Sequence, residues 1–155
     1  MDASPIAHHG RALRAGRFSE PGRTYLLTAV TQRRRPLFHD GRLARSLIAE
    51  MRRLHEQRAG LSLAWVVMPD HLHWLVLLDN MPLSRLVLQL KSRSAIAINR
   101  IHGTSGRIWQ KGFHDRALRH DEDVLTVARY IVANPLRAGL VSHIGDYPWW
   151  DAAWL

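Results

Sequence analysis

His71 and His73 stand two apart in an apolar stretch, HLHWLVLL. In a strand, side chains alternate, so both imidazoles point to one face, roughly 7 Å apart at the backbone. Leu72, Trp74, Val76 and Leu78 then point to the other face. Two imidazoles side by side can bind one metal ion or one phosphate. They can also be two surface histidines on a solvated face. A second pair, Tyr130 and Asn134, stands four apart in a helical pattern and shares a face. The apolar stripe there is Val124, Ala128, Ile131 and Pro135. Steps of 100° put Tyr130 and Asn134 about a quarter-turn from its centre. A hydroxyl there can be aimed across a sheet surface or can anchor the helix.

The elements that must hold these side chains are legible. Residues 23–31 (RTYLLTAVT) are β-branched and aromatic, which predicts a strand. Asp40 is a candidate cap for a helix over 41–59, carried by Leu43, Leu47, Ile48, Met51 and Leu54 and stopped by Gly60. Residues 61–68 and 71–78 read as a hairpin about the turn signal Pro69-Asp70. A second helix runs from about Leu83 to Ile101. Residues 107–119 suggest one or two short strands around Gly112. Asp121, Glu122 and Asp123 open a third helix, where acids suit the dipole. It should end near Asn134, because Pro135 disfavours helical geometry before it. The tail from Gly145 is dominated by Trp149, Trp150 and Trp154, read as packing the C-terminus. The order β-α-β-β-α-β-α suits an α+β fold, a ferredoxin-like antiparallel sheet with helices on one face.

Composition narrows the classes. The 155 residues contain no cysteine, which excludes a disulfide framework, thiol catalysis and cysteine-ligated zinc. No apolar run approaches the ~20 residues of a membrane span, and the N-terminus lacks the apolar core of a secretory signal. The expectation is a cytoplasmic protein with no membrane partner. The net charge is +9, and apart from Lys91 and Lys111 every cation among the 22 is arginine. Arginine's planar fork pairs with phosphate and stacks on bases. Residues 1–60 carry net +7 and residues 61–155 carry net +2. That asymmetry points to a nucleic-acid partner. Residues 1–22, rich in Gly, Pro, Ser and Arg, read as a basic flexible arm before a single domain over 23–155.

MPDHLHWLV, SGRIWQKGFHDRALR, ARYIVANPLRAGLV and a closing YPWW occur in that order. Together they resemble the REP-associated tyrosine transposases, which belong to the HUH single-strand nucleases. GRTYLLTAVTQRRRPLF fits the first strand, and the resemblance spans roughly residues 17–150. It implies that His71 and His73 hold a divalent ion, Mg or Mn. Asn134 would be the third ligand, and Tyr130 the nucleophile. It implies attack of a tyrosine hydroxyl on a phosphodiester of single-stranded or hairpin DNA at repetitive extragenic palindromes. The products would be a 5′-phosphotyrosine and a 3′-hydroxyl, and reversal by a second 3′-hydroxyl would rejoin DNA.

Other cations are candidates for DNA contact. Arg33, Arg34 and Arg35 follow the first strand; Arg14, Arg17 and Arg23 precede or begin it. Lys91 and Arg93 lie on the second helix, and Gln110, Lys111, His114 and Arg116 lie in the segment matching the family. Trp65, Trp74 and Trp109 read as core. Two other readings remain at this level. One is a non-catalytic single-stranded nucleic-acid-binding domain with a ferredoxin-like sheet. The other is a metal-dependent hydrolase with water as nucleophile. No apolar stripe is left over for a large interface, so the expectation is a monomer with Tyr130 facing His71 and His73 of the same chain.

Overall fold

A computed structural model describes residues 19–119 and 122–153. The expectations for Arg14, Arg17, Asp121 and Trp154 fall outside these residues. The sheet has five strands: β1 (Thr24–Val30), β2 (Gly60–Met68), β3 (His71–Leu78), β4 (His114–Ala117) and β5 (Trp150–Ala152). Their order is β4-β1-β3-β2-β5, and every neighbouring pair is antiparallel. The β2–β3 hairpin pairs Met68 with His71 across Pro69-Asp70, as the turn signal predicts. Antiparallel neighbours throughout match the expected α+β class.

Two long helices, α1 (Gly41–Glu56) and α2 (Leu83–His102), lie on one face. That face presents Leu27, Trp65, Val67, Leu72, Trp74, Val76 and Leu78, which pack with Leu43, Leu47, Leu86 and Leu90 into the main core. Trp74 is fully buried, and its Nε1–H donates to Ser62 Oγ at 2.8 Å. Trp109 joins the same core and donates to Ser94 Oγ at 3.0 Å. The three tryptophans expected in the core are there because their indole bodies are covered and two of their N–H groups find partners.

The third helix, α3 (Val124–Val132), differs from the expectation that the helices share one face. It covers the opposite face through Ala128, Ile131 and Val132, which pack on Ala64, Leu75, Leu118 and Ala152. These strand positions are apolar on the side that α1 and α2 leave open, so they need a cover of their own. A helix this short is marginal alone and is held by that apolar contact. Asp123 caps it, accepting from Leu125 N at 3.0 Å and Thr126 Oγ1 at 2.6 Å. The chain breaks at Ala133 and restarts as a one-turn helix, α4 (Asn134–Arg137), with Pro135 in its first turn. Pro135 has no N–H to continue the ladder of α3. Asn134 therefore opens a new turn rather than closing the helix of Tyr130.

Two further positions depart from the reading. Gly60 does not stop α1; the helix ends at Glu56, and Arg58 turns the chain with φ 57°. Gly60 begins β2, where a Cβ would lie 2.8 Å from Val76 Cγ2 and 3.1 Å from Leu86 Cδ2. The tail adds a strand, β5, on the open edge of β2. Trp149 lies across the start of α1 with the Arg45 guanidinium 5.9 Å from its ring centroid.

Gly60→Ala should fold but lose about 1–3 kcal/mol, because the methyl overpacks a junction whose Val76 is stiff at χ1. A lowered midpoint in urea unfolding with an unchanged slope is the expected result.

Candidate functional site

The face opposite α1 and α2 carries His71 and His73 at alternate positions of β3, beyond Leu75. Their rings meet edge to face, centroids 4.8 Å apart and planes at 80°. Each ring has one nitrogen committed to the protein. His71 Nδ1 lies 2.6 Å from Asp70 Oδ1, and a carboxylate only accepts, so Nδ1–H donates. His73 Nδ1 lies 2.8 Å from Thr28 Oγ1, its cross-strand neighbour. With Nδ1 engaged in both rings, Nε2 is the nitrogen each leaves for a ligand. That is the usual arrangement around imidazoles that hold a metal.

Burial first, and then the charges of His71, Arg137 and His114, push His73 down to about 3. It is a neutral imidazole at pH 7, the form that coordinates. The row across the sheet at this level runs His114, Thr28, His73, Val66 and Trp150. Asp70 is held below the usual carboxylate range. Burial opposes ionisation there, but hydrogen bonds and charge from His71 and Arg34 prevail.

Arg34 donates to Asp70 Oδ2 at 3.1 Å, so one carboxylate spans the imidazole and the arginine run. That run forms a tight turn after β1, with Arg33 at φ 58° and Arg34 at φ 51°. Such backbone is strained outside glycine, by roughly 1–3 kcal/mol each, and persists only when held. The buried Thr31 holds it, its Oγ1 2.8 Å from Arg35 O and 3.1 Å from Asp70 O. Arg35 donates to Arg107 O at 2.9 Å.

Tyr130 is 63% exposed on α3, so it stands clear of the buried stripe rather than at its edge. The Arg137 guanidinium carbon lies 3.8 Å from its ring centroid. Arg137 Nη2 also donates to Asn134 Oδ1 at 2.8 Å. So Tyr130, Asn134 and Arg137 form one cluster on successive turns, and the charge of Arg137 reaches His73.

A divalent ion fits this donor set. Among the described residues no group of three or more His, Cys, Asp or Glu could hold a metal. Beside the two imidazoles, the amide oxygen of Asn134 on α4 accepts from Arg137. Two nitrogens with hard oxygens suit Mg²⁺ or Mn²⁺.

The other sequence candidates divide. The Lys91 ammonium holds the carbonyls of Gln110 and Gly112, which ties α2 to the loop before β4. Arg23 reaches Leu118 O at 3.2 Å and pairs with Glu20, and Arg116 forks onto both Glu122 oxygens at 3.0 and 2.8 Å. Arg93 reaches Gln57 Oε1 at 3.5 Å. Gln110 and Lys111 line a groove of about 430 Å³ beside Trp109 and Arg107. Sequence reasoning missed Asp70, Thr28 and Arg137. Asp70 and Thr28 act through strand pairing and a turn, and Arg137 was visible only as the residue three beyond Asn134.

A family model described as transposase IS200-like matches residues 22–134. A REP-associated tyrosine transposase of Escherichia coli (strain K12) is 30% identical over 87 residues, 55% of this chain and 50% of that protein. The match thus spans half the length of that relative. A solved REP-associated tyrosine transposase bound to a REP hairpin superposes with a TM-score of 0.69 at 26% identity. It covers 86% of this chain and 79% of that one. A transposase structure from Deinococcus radiodurans R1 shares the fold, with TM-score 0.53, 22% identity and coverage of 70% and 87%.

Acid should destabilise the protein through His73. The unfolded imidazole binds a proton below 6.5, while the folded one refuses it until about 3. Stability is therefore lost as pH falls through that window. His73→Gln should flatten this part of the dependence of Tm on pH, relative to the parent chain.

Proposed function

Because the chain belongs to the transposase IS200-like family, we propose that it cuts and rejoins single-stranded DNA with Tyr130 as nucleophile. The ligands of its divalent ion are His71, His73 and Asn134. The observation that carries the reading is the pair of imidazoles whose Nδ1 atoms are both committed, to Asp70 and Thr28. The substrate is a DNA hairpin with single-stranded flanks at a repetitive extragenic palindrome, by analogy with the relative bound to a REP hairpin.

The residues supply a coherent reaction. The strand's phosphate is drawn to a site whose neighbouring charges, Arg137 and the arginine turn, are cationic. The Tyr130 oxygen attacks phosphorus and loses its proton to solvent. The bond from phosphorus to the 3′-oxygen breaks, and that oxygen takes up a proton. A 5′-phosphotyrosine and a 3′-hydroxyl result. A second strand's 3′-hydroxyl reverses the step with the same atom balance, so no ATP is consumed. A bound divalent ion polarises the phosphate and stabilises its developing charge. His71 and His73 are held in orientation by Asp70 and Thr28.

Tyr130→Phe removes one oxygen and leaves the exposed ring. It should retain DNA binding and give no cleavage. With Mn²⁺ and a labelled hairpin, the parent chain should show a DNA-shifted protein band on denaturing electrophoresis, and chelator should abolish it. Cleavage without the shifted band would indicate water as nucleophile. Binding without cleavage would leave the non-catalytic domain.

We also propose a monomer acting in cis, because the apolar side of α3 is taken up by its own sheet. Mixing Tyr130→Phe with His71→Ala chains should then restore no cleavage. Recovery would mean that two chains share their sites.

A further inference from the structure

We propose that Arg137 is a positioning residue of the strand-transfer site, holding Tyr130 and Asn134 as one unit; this rests on the reading above. Two observations converge on it. Its guanidinium lies 3.8 Å from the Tyr130 ring centroid, close enough for stacking rather than a passing approach. The same group donates to Asn134 Oδ1 at 2.8 Å.

The need for such a residue follows from the local fold. Tyr130 is largely exposed and reaches out from the edge of α3, so its own helix leaves the ring's direction open. Asn134 belongs to the next helical turn, because the chain breaks at Ala133 before Pro135. Nothing in either helix alone fixes the phenol relative to the amide. Arg137 does so with one planar group, since its central carbon lies over the ring and one of its amino groups reaches the amide. Arginine can only donate, so the Asn134 side chain must turn its oxygen toward the guanidinium. A lysine ammonium has no such plane and cannot make both contacts in this geometry. Arg137 makes neither an ion pair nor a backbone tie with the described residues, unlike Arg23, Arg34 or Arg116.

The role separates from a simple grip on DNA phosphate. A positioning residue affects the chemical step at saturating DNA; a phosphate contact affects affinity and its salt dependence. Arg137→Lys and Arg137→Ala lie at an exposed position and should fold as the parent does, checked by thermal melting. In single-turnover reactions with Mn²⁺ and saturating hairpin oligonucleotide, both should slow Tyr130 adduct formation by about 10–100-fold. Hairpin affinity, measured in chelator, should change less than about threefold. Lys should fail to rescue Ala.

A second readout needs no activity. The Nε–H resonance of Arg137 in the metal-free, DNA-free chain should be shifted by the Tyr130 ring current and should return toward an ordinary position in Tyr130→Leu. Parent-like cleavage by Arg137→Lys overturns the proposal. So does a reduced salt slope with unchanged cleavage at saturation, or an unshifted resonance in the parent. If the parent chain itself forms no adduct while the resonance is shifted, it is the tyrosine chemistry that fails, and the proposal falls with it.

Discussion

Successive side chains of a strand point to opposite faces, and β3 runs down the centre of this sheet. Its even-numbered positions, Leu72, Trp74, Val76 and Leu78, are among the most buried in the protein. The odd positions then have no choice of face, and they include His71 and His73. The register of β3 against β1 and β2 is fixed by that apolar set, because a slip of one residue would put Trp74 on the site face and the histidines in the core. The aim of the two imidazoles thus rests on the packing of residues on the opposite face. Placing Thr28 opposite His73 follows from the same register.

That face is also electrostatically one-sided. The charges that act on His73 are all of one sign, and burial adds to them. The carboxylate beside the pair, Asp70, is bound on one side by His71 and on the other by Arg34. Such a surface keeps His73 neutral and its potential positive. That combination suits a polyanion that must approach ligands still able to coordinate. The strained arginine turn is tied to the same carboxylate, so the loop expected to meet DNA and the imidazole beside it are mechanically joined through Asp70.

The second half of the site depends on a different device. The break between α3 and α4 lets the chain follow the sheet surface with Ala128, Ile131 and Val132 buried, then turn with Pro135 buried. Tyr130 and Asn134 fall on the rim of that cover. The tail strand β5 closes the edge of β2 and gives α3 part of the floor it rests on, through Ala152.

The sequence by itself determined a good deal. The alternation in HLHWLVLL is a property of the chain, and it already put the two histidines on one side and Trp74 on the other. The apolar stripe of α3 kept Tyr130 out of the core, though the structure leaves it more exposed than a place at the edge of the stripe. The lack of cysteine and the surplus of arginine narrowed the chemistry, and the motif order pointed to the family. Only the tertiary structure decided what lies across from what. That α3 covers the face opposite α1 and α2 follows from sheet order, which no local period encodes. Thr28, Asp70 and Arg137 became visible only when strand pairing, a hairpin turn and a helix break brought them to their partners. Lys91 turned out to close a loop, because its chain distance from Gln110 and Gly112 says nothing of their distance in space. Gly60 looked like a helix stop, but its place is set by Val76 and Leu86. Local propensity is written residue by residue, whereas these contacts join segments whose meeting depends on the packing of the whole chain.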